Sequence, residues 1–244
     1  MSTQPLQPLG ELLSRTLVFY RGHLRLVMLV TLPVVAFVDV VLGIGLGEFT
    51  ASVHKKLPAA DGYIELAAYF FILVPLVSSM LARAVVIEER EGSAPTAKRA
   101  VEEGLDVFAP VLIAVIMYAA GVALGLFLLL VIPGIYFLVS WYFVVQAVVI
   151  DRCRGFGAVT MSSSLVRGHW WHTAGVVICL ELLTGIAAQG VIAIFEALAT
   201  AANSDALIVI GSVLIDTVAL PFVAVGATLY YLELRERAAL PQPR

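Results

Sequence analysis

From Val107 to Ile150 the chain carries no Asp, Glu, Lys or Arg. Drawn as one straight helix, this stretch would be roughly 66 Å long at about 1.5 Å per residue, about twice the hydrocarbon thickness of a bilayer. Past its middle stand Pro133 and Gly134, a pair that favours a turn. The pattern predicts a transmembrane hairpin, with spans over about Val107–Leu130 and Gly134–Ile150 and a reversal between them that can begin before Pro133.

The same texture extends over nearly the whole chain. Of 244 residues, 61% are hydrophobic and 14% charged, against about a quarter charged in a soluble domain; the mean hydropathy is +0.98. A soluble domain with one anchor does not fit that distribution. A net charge of −3 speaks against a nucleic-acid surface, which needs clustered Lys and Arg. The two cysteines, Cys153 and Cys179, offer neither a structural disulfide nor a metal-ligand spacing. The first apolar block is longer than the core of a signal peptide and is expected to be retained.

The other spans follow the same logic. A first runs over about Leu24–Gly47 with Pro33 and Asp39, and a second over about Tyr63–Ile87 with Pro75 and with Glu65 and Arg83 near its ends. A fifth runs over about Thr173–Leu198 with Glu181, Gln189 and Glu196. A sixth runs over about Ala206–Tyr231 with Asp216 and Pro221. The loop at 48–62 holds His54, Lys55, Lys56 and Asp61, and Ala202-Asn203-Ser204-Asp205 links the last two spans.

Each hairpin is preceded by an amphipathic segment of the kind that lies at a membrane surface. In 11–22, Leu13, Leu17 and Tyr20 share a face. In 88–106, Pro95 fits a helix start, and Lys98, Arg99, Glu102 and Glu103 are expected to meet water. In 151–171, Phe156, Val159 and Val166 are expected to face lipid, and the serines Ser162, Ser163 and Ser164 with Arg167 to face water. The tail 234–244 is expected to be flexible. These units, about 11–87, 94–150 and 155–233, form a weak threefold repeat. Arg21-Gly22-His23, Glu103-Gly104-Leu105 and Arg167-Gly168-His169 each follow a hydroxyl, Ser14, Thr96 or Thr160, by eight residues counted to the glycine. The hydroxyls are expected to cap the surface helices and the glycines to let the chain bend.

With six spans, thirteen of the fifteen Lys and Arg fall on one side; only Lys55 and Lys56 fall on the other. Positive residues stay in the cytoplasm, so both termini are expected inside. The expected fold is all-α and polytopic: six transmembrane helices as three hairpins, each preceded by an amphipathic cytoplasmic surface helix.

Ile132-Pro133-Gly134-Ile135-Tyr136, the pattern Ser162, Leu165, Gly168 and Trp170, and the N-terminal LGELLSRTLVFYR resemble a bacterial membrane-protein family. It is similar to the membrane domain attached to some glycerophosphoryl diester phosphodiesterases and to stand-alone six-helix relatives of unknown function. The resemblance implies an architecture in a bacterial cytoplasmic membrane. It does not imply the phosphodiesterase activity, because the catalytic barrel and its His-Arg and paired-acid motifs are absent from this sequence.

Asp39, Glu181 and Asp216 are the candidates for chemistry, since ionisable groups inside a membrane are costly. Glu181 and Asp216 each lie roughly 14 Å from a span end, near the midplane, on adjacent spans that can share a proton or cation; Asp39 lies nearer the outer leaflet. The structural alternative is that each acid is protonated and hydrogen-bonded across helices. Arg21, Arg167, His169, Trp170 and Trp171, with Tyr136, are the candidate interfacial and lipid contacts. His169 and His172 stand three apart with no third ligand, so anchoring is expected in preference to zinc. Gly121-x-x-x-Gly125 is a helix-packing signal. No catalytic motif or phosphate loop occurs, and no cofactor is expected. The expected partners are membrane lipids, a membrane protein or a second copy. The expected function is a non-enzymatic, lipid-associated membrane module. A small transporter or permease subunit using Glu181 and Asp216 is the alternative, and an intramembrane enzyme a weaker third class. A polar cavity holding both acids between the fifth and sixth spans would favour transport.

Overall fold

The computed structural model describes residues 6–45, 66–127, 131–204 and 206–239. Glu65, Asp205 and the 48–62 loop with His54, Lys55, Lys56 and Asp61 lie outside the described residues. Among the described residues there is no strand. Five helices are long and apolar enough to cross a bilayer, and six when a bent N-terminal pair counts as one span. The chain is an all-α, multi-pass membrane protein.

That bent pair is α1 (Leu9–Gly22) and α2 (Leu24–Gly45), which meet at His23 with a bend of 83°. The next span, α3 (Leu66–Glu91), makes a π-helical turn over Tyr69–Leu73 before continuing as regular helix. Pro75 explains the turn. It has no N–H for the carbonyl one turn back and its ring crowds that carbonyl, so the preceding backbone widens to relieve both. Then come α4 (Ala97–Asp106) and α5 (Phe108–Phe127). A broken span of α6 (Val131–Ser140) and α7 (Val144–Asp151) follows, then the short α8 (Phe156–Val166). Two long helices, α9 (Trp170–Ala202) and α10 (Ala206–Ala239), complete the chain. Asn203 closes α9 in the left-handed conformation, which Asn tolerates better than most residues.

The third and fourth spans are present, but Pro133 and Gly134 are not their turn. They are the third and fourth residues of α6. Proline suits the first turn of a helix, where its missing N–H would be an orphan in any case. Gly134 serves the crossing with α5: a Cβ on Gly125 would stand 2.8 Å from the Gly134 Cα. In lipid there is no hydrophobic drive between apolar helices, so close backbone approach through small residues supplies the packing. Gly121, the other half of that signal, is covered by the Trp141 ring.

α10 is the hub of the bundle, with α9, α3, α2 and α1 all packed against it. α1 lies lengthwise on it. The Gln7 N–H donates to Glu233 at 2.9 Å, Thr16 sits over Gly226, and the Tyr20 hydroxyl donates to the Val218 carbonyl at 3.2 Å. As α1 advances, α10 runs backwards, so the pair is antiparallel. Leu12, Thr16 and Phe19 form the buried stripe of α1. The expected frayed tail is a continuation of α10 through Ala239, with Leu232, Glu233 and Leu234 buried. Two ion pairs hold it, Arg235 to Asp151 and Arg237 to Glu233; residues 240–244 lie outside the described residues.

The three amphipathic segments differ from one another. Thr96 caps α4 and accepts the Arg99 N–H. Ser14 and Thr160 cap nothing; they lie inside α1 and α8, and the Thr160 hydroxyl bonds the Phe156 carbonyl of its own helix. Of the three glycines, Gly168 makes a turn at φ +89°, whereas Gly104 is packed against Met80. α8 folds back along α6 and α7. Ser162 reaches Ser140 and Phe143, and further along the chain Trp170 reaches Tyr136. Val159, Val166 and Ser162 are therefore buried, against the expectation that the valines face lipid and the serine water. Phe156 is 80% exposed.

Candidate functional site

The three intramembrane acids all lie within electrostatic range of one tyrosine, Tyr69. Glu181 on α9 accepts a hydrogen bond from the Tyr142 hydroxyl at 2.9 Å; Tyr142 sits in the break between α6 and α7. Tyr69, in the π-helical turn of α3, lies within electrostatic range of Asp216, Glu181 and Asp39. Tyr118 of α5 lies within range of Glu181. Six elements thus carry these three acids and three tyrosines, linked by the Tyr142–Glu181 hydrogen bond and by electrostatic range to Tyr69 and Tyr118. Phenol hydroxyls are donors to carboxyl oxygens and offset part of the cost of removing an acid from water. Asp39, expected apart from the other two acids, joins them because α2 packs on α10. The tyrosines were not singled out by sequence; Pro75, six residues after Tyr69, is the one signal that this backbone is irregular.

The aromatic landmarks also gather. Trp170 stacks on Tyr136, centroids 6.2 Å apart, and Trp171 stands edge-on to Trp170 at 4.7 Å. Trp171 is 84% exposed. His169 precedes α9 and is exposed. His172 is turned inward, with Nδ1 2.9 Å from the Tyr230 hydroxyl.

The basic residues divide into two sets. Arg15 pairs with Glu89, Arg83 with Glu91 and Glu103, Arg99 with Glu91 and Glu103, and Lys98 with Glu102. Arg15, Arg83, Arg99 and Arg235 thereby bind helices to one another, whereas Lys98 and Arg237 pair within their own helices. Burial pushes the Glu103 carboxyl up, but hydrogen bonds from Arg83 and Arg99, reinforced by their charges, hold it below the usual carboxylate range. Hydrogen bonds donated to the Glu91 and Glu103 carboxylates raise the Arg99 guanidinium. Burial, with the nearby Asp151 charge, pushes the Cys153 thiol up, so it is not an activated nucleophile. The second set is Arg21, Arg25, Arg90, Arg152, Arg154 and Arg167. All six are exposed, and none has an ion-pair or hydrogen-bond partner among the described residues. The acids similarly uncommitted on the same segments are fewer: Glu11, Asp106 and Glu236.

Between α9 and α10, where a polar cavity would have held Glu181 and Asp216, there is an apolar groove of about 530 Å³. Its third wall is α1, through Leu13, Leu17 and Tyr20, the face legible in the sequence. Leu183, Ala187, Ala188 and Val191 line it from α9, and Leu214, Val218 and Phe222 from α10. None of the three acids borders it. No family model matches the chain, and neither the curated proteins nor the solved structures contain a match to it.

Proposed function

We propose that the protein is a non-enzymatic, lipid-associated module of a bacterial cytoplasmic membrane, with both termini inside. On this reading it is kin to the six-helix membrane domains of glycerophosphoryl diester phosphodiesterases that its sequence resembles. The observation that carries the proposal is the division of the basic residues. The arginines that hold helices together are paired, and six others are left exposed and uncommitted. A guanidinium fork suits a phosphate, and a basic residue near an anionic leaflet gains about 1 kcal/mol. Arg21 and Arg167, with exposed His169 and Trp171 beside Arg167, belong to this surface.

The test is lipid retention. Purified in mild detergent after extraction from mixed vesicles, the parent protein should retain phosphatidylglycerol in preference to phosphatidylcholine. Replacing Arg21, Arg152 and Arg167 by Gln should remove the preference while leaving the melting temperature in detergent unchanged. Equal retention of the two lipids by the parent protein would reject the proposal.

The convergence of Asp39, Glu181 and Asp216 on Tyr69 favours one second reading, a small transporter or permease subunit. It predicts ion-coupled flux in proteoliposomes that Glu181→Gln and Asp216→Asn abolish without loss of stability. On the lipid-module reading both variants fold and no such flux exists to lose.

A further inference from the structure

We propose that two copies of the chain associate in the membrane through α9, with the Gln189 side chains of the two copies hydrogen-bonded to each other. This is independent of the headgroup preference above, which concerns the arginines. The first observation is an amide in an apolar span. Gln189 is exposed and has no hydrogen-bond partner among the described residues. Its depth follows from the packing of α9 on α10. Leu180 sits over Gly226 and Phe195 over Gly211, so the two helices run antiparallel and Gln189 stands level with Thr217, beside Val218. That is about 14 Å of helix from Leu198, the nearer end of the span. Water does not serve an amide at that depth, and an amide left unpaired in hydrocarbon is costly.

The second observation is the row in which Gln189 stands. Ile178, Leu182, Gly185, Gln189, Ile192 and Glu196 follow one another at alternating steps of four and three residues. This spacing keeps one edge of a helix against a partner helix over several turns. The row lies on the side of α9 turned away from α10, which Thr173, Leu180 and Phe195 face. Ile178 and Leu182 are 55% and 57% exposed. Of the five helices long enough to span, α9 has the smallest share of its apolar stretch buried in the bundle. Gly185 stands one turn before Gln189, and a Cβ there would meet nothing within 4 Å. No neighbour in its own chain requires that glycine, and in lipid a glycine on an open face lets a second backbone come close.

The third argument selects the occupant. A twofold axis along the membrane normal sets each residue of the row opposite itself. A carboxylate or a guanidinium in the span would repel its own copy there. A glutamine amide carries donors and an acceptor in one plane, so two of them exchange two hydrogen bonds. Glu196, the one charged residue of the row, is two residues from Leu198, where its carboxylate reaches the headgroups and water. No charge within the span calls for an opposite charge on a different protein.

The experiment uses the full chain, purified and reconstituted alone in vesicles of phosphatidylethanolamine and phosphatidylglycerol at increasing lipid dilution. Energy transfer between donor-labelled and acceptor-labelled copies reports association. The parent protein should show transfer that falls with dilution as a dimer's does. Gln189→Leu, a side chain suited to lipid, should weaken association about tenfold without lowering the melting temperature, and Gln189→Asn should retain most of it. Gly185→Ile, on the same open face, should weaken it as well. The row is read separately, in a background with Cys153 and Cys179 replaced. Oxidation should link Leu182→Cys and Ile192→Cys between copies and spare Ile186→Cys and Ile194→Cys, exposed positions of α9 outside the row. A chain that stays monomeric at the highest density would overturn the proposal. So would links as frequent at Ile186→Cys as at Leu182→Cys, or association that Gln189→Leu leaves unchanged.

Discussion

Ser162 shows how much one hydroxyl does in a bundle with little water. The span of α6 and α7 breaks over 141–143, which frees the Ser140 carbonyl and the Phe143 N–H. The Ser162 hydroxyl donates to the first at 2.8 Å and accepts from the second at 3.2 Å. It is fully buried, so no water replaces it. Ser162→Ala should therefore cost about 1–3 kcal/mol, the range for stranding a buried polar group. Denaturant unfolding in detergent measures it, and Ser163→Ala in the same helix is the control with little effect. The sequence around the break, Leu138 to Phe143, has no proline or glycine to announce it, and Ser162 stands in a run of serines that reads as a wet face. Glu103 gives a second prediction. Its carboxyl titrates below the ordinary value of about 4.3 because Arg83 and Arg99 hold the charged form against burial. A depressed carboxyl contributes stability that is complete above its unfolded value and is lost as pH falls through the folded one. Amide exchange in α4 should accordingly rise as pH is lowered below about 4, relative to the rest of the protein. In Glu103→Gln that exchange should already be high at neutral pH and should change less with acid.

Among the elements, the hairpin of α5 and α6 was legible in outline because a charge-free stretch twice the membrane thickness must reverse. Where it reverses was not. A Pro-Gly pair carries the same letters whether it makes a turn or opens a helix, and only the partner across the crossing separates the two. Gly134 is pressed against α5, where a Cβ would stand 2.8 Å from the Leu126 backbone nitrogen. Had the pair been a surface turn, a larger residue at 134 would meet open space. Since it is a crossing, Gly134→Val should push α5 and α6 apart and cost about 1–3 kcal/mol, as overpacking does. Thermal unfolding in detergent is the readout, with Gly10→Ala, where a Cβ meets nothing within 4 Å, as the neutral comparison. α1 was legible as an amphipathic segment from Leu13, Leu17 and Tyr20. That its apolar face is shared between α10 and a groove depends on contacts two hundred residues away in sequence, such as Tyr20 with Val218. The acids tell the same story: their cost in an apolar stretch marks them singly, whereas their meeting at Tyr69 follows from how α2, α9 and α10 pack.

For the whole molecule, arginine does two jobs that sequence cannot tell apart. The thirteen basic residues expected on one side constrain orientation as a group, yet the described ones divide between ties within the bundle and exposed, uncommitted cations. Orientation depends on the sum, so it should survive the loss of any single arginine, whereas the proposed headgroup preference would depend on the second set alone. Orientation is tested by cysteine labelling in intact cells, in a background with Cys153 and Cys179 replaced. The probes belong at Asn203, in the link between α9 and α10, at Ala94, between α3 and α4, and at Ser164 in α8, all exposed in the structure. An impermeant maleimide should label Asn203→Cys from outside and leave Ala94→Cys and Ser164→Cys unlabelled until the membrane is opened. α8 makes Ser164 the sharper probe, because this helix folds back along α6 and α7 and does not lie flat across them. If α8 carried the chain to the far side, Ser164→Cys would label from outside together with Asn203→Cys while Ala94→Cys stayed protected. That outcome would leave α9 and α10 without a common entry side and would reject the arrangement of three hairpins with both termini in the cytoplasm.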